Sequence, residues 1–270
     1  MLGRGIFDIF VVIYAVSLVL FFMDAIQPRR RINRTAVLLL FLVFCLETVF
    51  FLNRLWSSGT LPVYTPFDVS WLVSWLVLTV ALVVNAFFPI GLFLFFANVF
   101  AFAIVAMDAF GFQGHIVYTA RQGDLLVLHI LFGLASYVAF CFSFVFSLMY
   151  LVQNWLLRKK RWNRWFFQMP PLARLENYAF SSILVGLPLL LISIVLGSIW
   201  GKLTLNRYLL TDPKLLTTVG LWAMYGIFLV LRNRPGFGTR RLVWYNLVCF
   251  LGTILNFVVI NGFSLVHHGI

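Results

Sequence analysis

His129, His267 and His268 each sit beside an apolar segment, and between them fall Gly197-Ser198-Ile199-Trp200 and Asp212-Pro213-Lys214. A neutral imidazole is a good ligand for porphyrin iron, and two of them fill both axial positions of a six-coordinate centre. A flat macrocycle gains from aromatic contact, for which Trp200, Tyr208 and Trp222 are candidates. Its two propionates need cationic or hydrogen-bonding partners where they leave an apolar phase. Arg54, Arg121, Lys202, Arg207 and Lys214 are available for that, with Asp212 in the same stretch. The residue types point to the handling of an iron porphyrin, with haem b, iron protoporphyrin IX, as the expected cofactor and His129, His267 and His268 as candidate imidazoles.

Blander readings compete with this one. A single histidine near a helix end is often just an interfacial polar residue, and an adjacent His pair close to a chain end also fits a frayed tail. Tryptophan is enriched at both membrane surfaces, so Trp56, Trp71, Trp75 and Trp244 read as belt residues. Outer cations can simply be solvated.

The elements that must position these side chains follow from composition. Hydrophobic residues make up 63% of the 270 and charged ones only 10%, with a mean hydropathy of +1.00. An ordinary soluble domain carries about 25% charged residues. Such a chain is a polytopic membrane protein. Its net charge of +12 does not imply nucleic-acid binding, because basic residues gathered in short loops are a mark of membrane topology. A bilayer core needs roughly 20 apolar residues per helix, which selects spans 5-26, 35-56, 69-88, 90-110, 125-157, 176-201, 214-232 and 242-264. The expectation is all-α, eight transmembrane helices in one bundle, a single domain over 1-270. Phe88 before Pro89 marks a tight break between the third and fourth spans.

Lys and Arg decide the orientation. One side collects Arg29, Arg30, Arg31 and Arg34, the six from Arg158 to Arg174, and Arg232, Arg234, Arg240 and Arg241, fourteen in all against six on the other. The excess side is expected to be cytoplasmic. Both termini are then outside, and His115, His129, His267 and His268 all face the outer compartment. The first segment carries Asp8 and no evident cleavage site, so it reads as a retained helix.

Glu47 falls near the middle of the second span, where an ionised carboxylate is costly. With no clear basic partner, the favoured reading is a protonated hydrogen-bonding group, and a proton relay is the alternative. Cys45, Cys141 and Cys249 lie inside apolar runs without a C-x-x-C spacing and read as packing residues. There is no G-x-S-x-G, Walker or H-E-x-x-H pattern. A hydrolytic enzyme is not expected.

Gly197-Ser198-Ile199-Trp200, Tyr208, Asp212-Pro213-Lys214, Trp222, Tyr225 and Arg232 fit without a gap the tryptophan-rich signature of the cytochrome c assembly proteins. The chain resembles that family, the CcsA/CcmC haem-handling proteins, and within it the HemX-like branch. Leu128-His129, Ser136-Tyr137 and Tyr150-Leu151 resemble the family helix that bears the first external haem-ligand histidine. Asn261 to His268 resembles the closing segment with the second ligand, and its spacing points to His268 ahead of His267. Pro66-Phe67-Asp68 to Trp75 carries the likeness into the N-terminal half. The chain departs where the signature has tryptophans before the aspartate, since Leu205, Leu209 and Thr211 stand there, and Leu215 replaces the acid after Asp-Pro-Lys. The aromatic platform is reduced accordingly.

The resemblance implies a non-enzymatic haem-binding protein of the bacterial cytoplasmic membrane, holding or transferring haem near the outer face for cytochrome c assembly or haem homeostasis. Its implied partners are haem and other cytochrome c assembly proteins or glutamyl-tRNA reductase, within a lipid bilayer, and whether the chain works alone or as a homo-oligomer stays open. A runner-up within the family is regulation of glutamyl-tRNA reductase level. Outside it stand a haem-free transporter coupled through Glu47 and a regulatory scaffold acting through the basic loops.

Overall fold

The computed structural model describes residues 2–27, 29–59, 61, 63, 65–87, 92–110, 124–160, 164–205 and 212–258. Among them the only regular structure is helical: α1 (Leu2–Ile26), α2 (Arg30–Ser58), α3 (Pro66–Phe87), α4 (Phe93–Phe110), α5 (Asp124–Arg158), α6 (Arg164–Gln168), α7 (Leu172–Leu205), α8 (Pro213–Arg232) and α9 (Thr239–Val258). Six helices, α1, α2, α3, α5, α7 and α8, are long and apolar enough to cross a membrane, and Phe93–Ala106 is a shorter apolar helix. The protein is therefore a multi-pass helical membrane protein. The expected span 242-264 is described only as far as Val258, and the break at Phe88 and Pro89 lies outside the described residues. The five-residue α6 had no counterpart in the sequence reading.

The chain divides into two compact units, one of residues 1–116 with 160–170, the other of residues 117–159 with 171–270. In the first, α1 packs on α2 and α3 on α4. Its centre is aromatic. Trp71 is buried and lies 4.9 Å from Phe10 and 4.5 Å from Phe50, ring centre to ring centre. Trp75 stacks on Phe51 at 5.6 Å and donates its indole N–H to Thr48 Oγ1 at 2.9 Å. The belt assignment fails for Trp71, which is buried in helix packing, while Trp75 is half-buried with its indole engaged by Thr48 and Phe51. Trp56 and Trp244, by contrast, are exposed.

In the second unit α5 and α7 form the most extensive pair. Small residues let them approach. A Cβ on Gly133 would stand 3.0 Å from Ser193 Oγ, and one on Gly186 only 2.7 Å from a Phe140 ring carbon. Between helices in lipid, such close backbone contact supplies the association energy that water would otherwise supply. Two buried asparagines tie α9 to the pair. Asn246 Nδ2 lies 2.7 Å from Ser143 Oγ and 2.8 Å from Ser147 Oγ, and Ser143 Oγ donates to the Ala179 carbonyl at 2.9 Å. Asn256 Nδ2 donates to Tyr137 Oη at 2.9 Å, while its Oδ1 accepts from Thr217 Oγ1 at 2.8 Å. Phe140 and Tyr225 stack at 3.8 Å, joining α5 to α8. Cys141 and Cys249 are buried and every cysteine is free, as their placement in apolar runs implied.

Candidate haem-ligand site

His129 sits in the second turn of α5, and α7 decides what its imidazole can do. The ring Nδ1 is 2.7 Å from the Ser193 carbonyl oxygen, a distance that makes Nδ1–H the donor. Ser193 Oγ lies 3.0 Å from the same nitrogen and donates to the His129 carbonyl at 2.9 Å. With the proton fixed on Nδ1, Nε2 carries the lone pair. Metal-ligating histidines show this arrangement, in which a carbonyl or carboxylate on the far nitrogen sets tautomer and ring orientation. Four residues on from Ser193, Gly197 presents a bare backbone to the same ring.

One turn beyond Gly197 the indole of Trp200 is buried. Lys202 follows near the end of α7 and is exposed. Asp212 is the N-cap of α8: its Oδ1 accepts from the Lys214 N–H at 2.8 Å, and Pro213 takes the first helical position. That gives Asp212-Pro213-Lys214 a structural role as a unit. The carboxylate satisfies an orphan N–H and the proline has none to lose. Asp212 is 3% exposed, consistent with this capping position. Lys214 is half-buried and acts electrostatically on His129, so α5, α7 and α8 converge at this end of the unit. Trp222, further along α8, buries its indole N–H with no hydrogen-bond partner.

Tyr208, Arg207, His267, His268, His115 and Arg121 lie outside the described residues. Arg54, a proposed propionate partner, belongs to the other unit, where its Nε is 3.3 Å from Asp68 Oδ1. Ser193 was missed by the sequence reading. The signal for it is a run of small residues at Gly186, Ser193 and Gly197, seven and four apart, which falls on one helix face. No group of three or more His, Cys, Asp or Glu side chains able to hold a bare metal ion occurs among the described residues. Haem iron needs only axial ligands from the protein, and the locked imidazole of His129 fits that demand.

Comparison with known proteins bears on the same segments. The chain is 35% identical to Protein HemX of Brevibacillus brevis over 257 residues, covering 94% of each. It is 31% identical to Protein HemX of Bacillus subtilis (strain 168), covering 95% of this chain and 94% of that protein. Similarity to the cytochrome c biogenesis protein CcsA of Synechococcus sp. (strain CC9605) is 23% over 90% of this chain and 87% of the other. The family model described as Cytochrome C assembly protein matches residues 67–267. That match begins inside the Pro66-Phe67-Asp68 stretch and takes in His129, the Trp200 to Lys214 signature and His267, and with it the chain belongs to the cytochrome c assembly protein family.

Proposed function

We propose that the protein binds haem b as cargo at the outer face of the bacterial cytoplasmic membrane, and passes it on for cytochrome c assembly or haem homeostasis without catalysing a reaction. His129 supplies one axial ligand through Nε2, and His268 or its neighbour His267 the other. Trp200, Trp222 and Tyr208 contact the macrocycle. Lys202, Arg207 and Lys214 meet the propionates, and Asp212 holds the start of α8 in register with them. Eight spans with both termini outside, and the whole chain acting as one haem-handling domain, complete this reading.

The observation that carries it is the hydrogen bond from His129 Nδ1 to the Ser193 carbonyl, made against Gly197. It leaves a neutral, oriented imidazole with one lone pair to offer. The test is the optical spectrum of the purified protein, oxidised and reduced. Two imidazole ligands give a low-spin six-coordinate b-type spectrum. Protein purified from haem-replete membranes with no haem absorption, and none taken up on titration, overturns the reading.

A second reading rests on the full-length likeness to the HemX proteins and on Leu205, Leu209, Thr211 and Leu215, which thin the aromatic platform. In it the bound haem is a signal and the chain sets the level of glutamyl-tRNA reductase. Deleting the gene then changes reductase abundance before it changes cytochrome c content.

A further inference from the structure

Each long helix of the first unit places one fully buried polar side chain at a common centre: Tyr14 from α1, Glu47 from α2, Ser74 from α3 and Asn98 from α4. They form a line. Ser74 Oγ is 2.8 Å from Glu47 Oε1, Ser74 in turn acts on the Tyr14 hydroxyl, and that hydroxyl stands 3.5 Å from Asn98 Oδ1. Asn98 Nδ2 is committed to the Leu94 carbonyl at 2.6 Å, which fixes Oδ1 as the free end of the amide. Glu47 Oε2 is buried without a partner.

Among the described residues no cation is paired with this carboxyl. On α2 the charge two turns away is Arg54, and it pairs with Asp68 of α3. Asp24 of α1 accepts from the Arg29 N–H and from Asn33 Nδ2 at the opposite end of the helix. The α3 side adds only the Trp71 indole N–H, 3.5 Å from the Glu47 carbonyl, and α4 adds Asn98.

Proton counting separates two arrangements. If Glu47 is ionised, Ser74 donates to Oε1. An unshared charge then stays in the bilayer interior, and the single Tyr14 proton cannot serve both Ser74 and Asn98 Oδ1. If a proton sits on Oε1, every bond in the line turns round: Glu47 donates to Ser74, Ser74 to Tyr14, and Tyr14 to Asn98 Oδ1. Only a neutral carbonyl oxygen is then left without a donor, a far smaller penalty than a lone charge. The same side chains serve both directions.

We infer that Glu47 is an intramembrane proton-binding site, the end of a relay through Ser74 and Tyr14 to Asn98 whose hydrogen bonds reverse when the proton arrives. Tyr14 and Glu47 precede residue 67, where the family match begins, whereas Ser74 and Asn98 lie within it. The site gives the first unit a ligand of its own.

The chain has two glutamates, Glu47 and Glu176, which makes the test direct. Full-length protein carrying ¹³C at the glutamate side-chain carboxyl, in lipid nanodiscs at neutral pH, is examined by infrared spectroscopy. The expected result is a protonated-carboxyl C=O band that moves with the label, survives Glu176→Gln and shifts in Tyr14→Phe. Loss of the band in Glu47→Gln completes the assignment. The label on the native chain with Glu176→Gln suffices where Glu47→Gln does not fold. Glutamate signals of the ionised form only overturn the proton site, and a band unmoved by both Tyr14→Phe and Ser74→Ala overturns the relay.

Discussion

Gly197 lies flat against the imidazole of His129: a Cβ built on it would stand 2.7 Å from both Cε1 and Nδ1. No rotamer of a larger residue at 197 is compatible with the ring where it is, because the clash is with Cβ itself.

Gly197→Ala is therefore expected to push the imidazole off the Ser193 carbonyl and to lower haem occupancy at least fivefold. The helix itself does not suffer, since alanine favours helix over glycine by about 1 kcal/mol. Haem-to-protein ratio and circular dichroism on one preparation check both halves. Full occupancy in this variant would remove the packing argument for His129 as ligand.

Ser193→Ala separates carbonyl from hydroxyl. The bond to Nδ1 runs to the backbone carbonyl, which the substitution keeps, so the six-coordinate spectrum is expected to persist with at most a few-fold weaker binding. His129→Ala is expected to abolish stable retention, as is removal of His267 and His268 together. An unchanged spectrum in both of those would falsify the ligand pair.

Asp212→Ala loses the α8 cap, a cost of about 1 kcal/mol, and should lower the melting temperature by a few degrees. Asp212→Asn keeps an acceptor and should restore it. A haem affinity that stays low in the Asn variant, despite recovered stability, would show that the carboxylate touches the cargo as well as the helix.

Replacing Lys202, Arg207 and Lys214 together by Gln is expected to weaken haem binding roughly tenfold or more without altering the spectrum. One charge-assisted contact is worth about 1.5 to 3 kcal/mol, and the axial ligands are untouched. Affinity unchanged in the triple variant would leave the propionates to other groups.

Reporter fusions after residues 31 and 165 are expected to read cytoplasmic, and one at residue 270 extracytoplasmic, from the distribution of Arg and Lys between alternate loops. The reverse pattern would move His129 to the cytoplasmic end and sink the outer-face site.

Helix existence was legible because twenty-residue apolar runs leave little choice in lipid. The fifth and seventh expected spans, 125-157 and 214-232, agree with α5 and α8 to within one residue at each end. The sixth expected span, 176-201, is shorter than α7, which runs Leu172–Leu205 directly after Pro170-Pro171 and is not interrupted by Pro188. Sequence could place His129 near a membrane face but not say what its Nδ1 meets, because Ser193 is 64 residues away and only packing brings it there. Trp71 misled for a related reason. Interfacial and core tryptophans share a composition, and only the neighbours Phe10 and Phe50 tell them apart. Glu47 was readable as a buried acid, but its line of partners spans four helices and has no local spacing.

Asn256, held by Tyr137 of α5 and Thr217 of α8, gives the polypeptide a mooring just before α9 passes out of the described region. Chain geometry then limits how far a histidine at 267 can stray, to a radius of about 40 Å even if fully extended. Whatever stands at 267 is thereby bounded in its distance from α5 and α8, and removing the mooring with Asn256→Ala should slow haem capture while every proposed iron ligand stays in place.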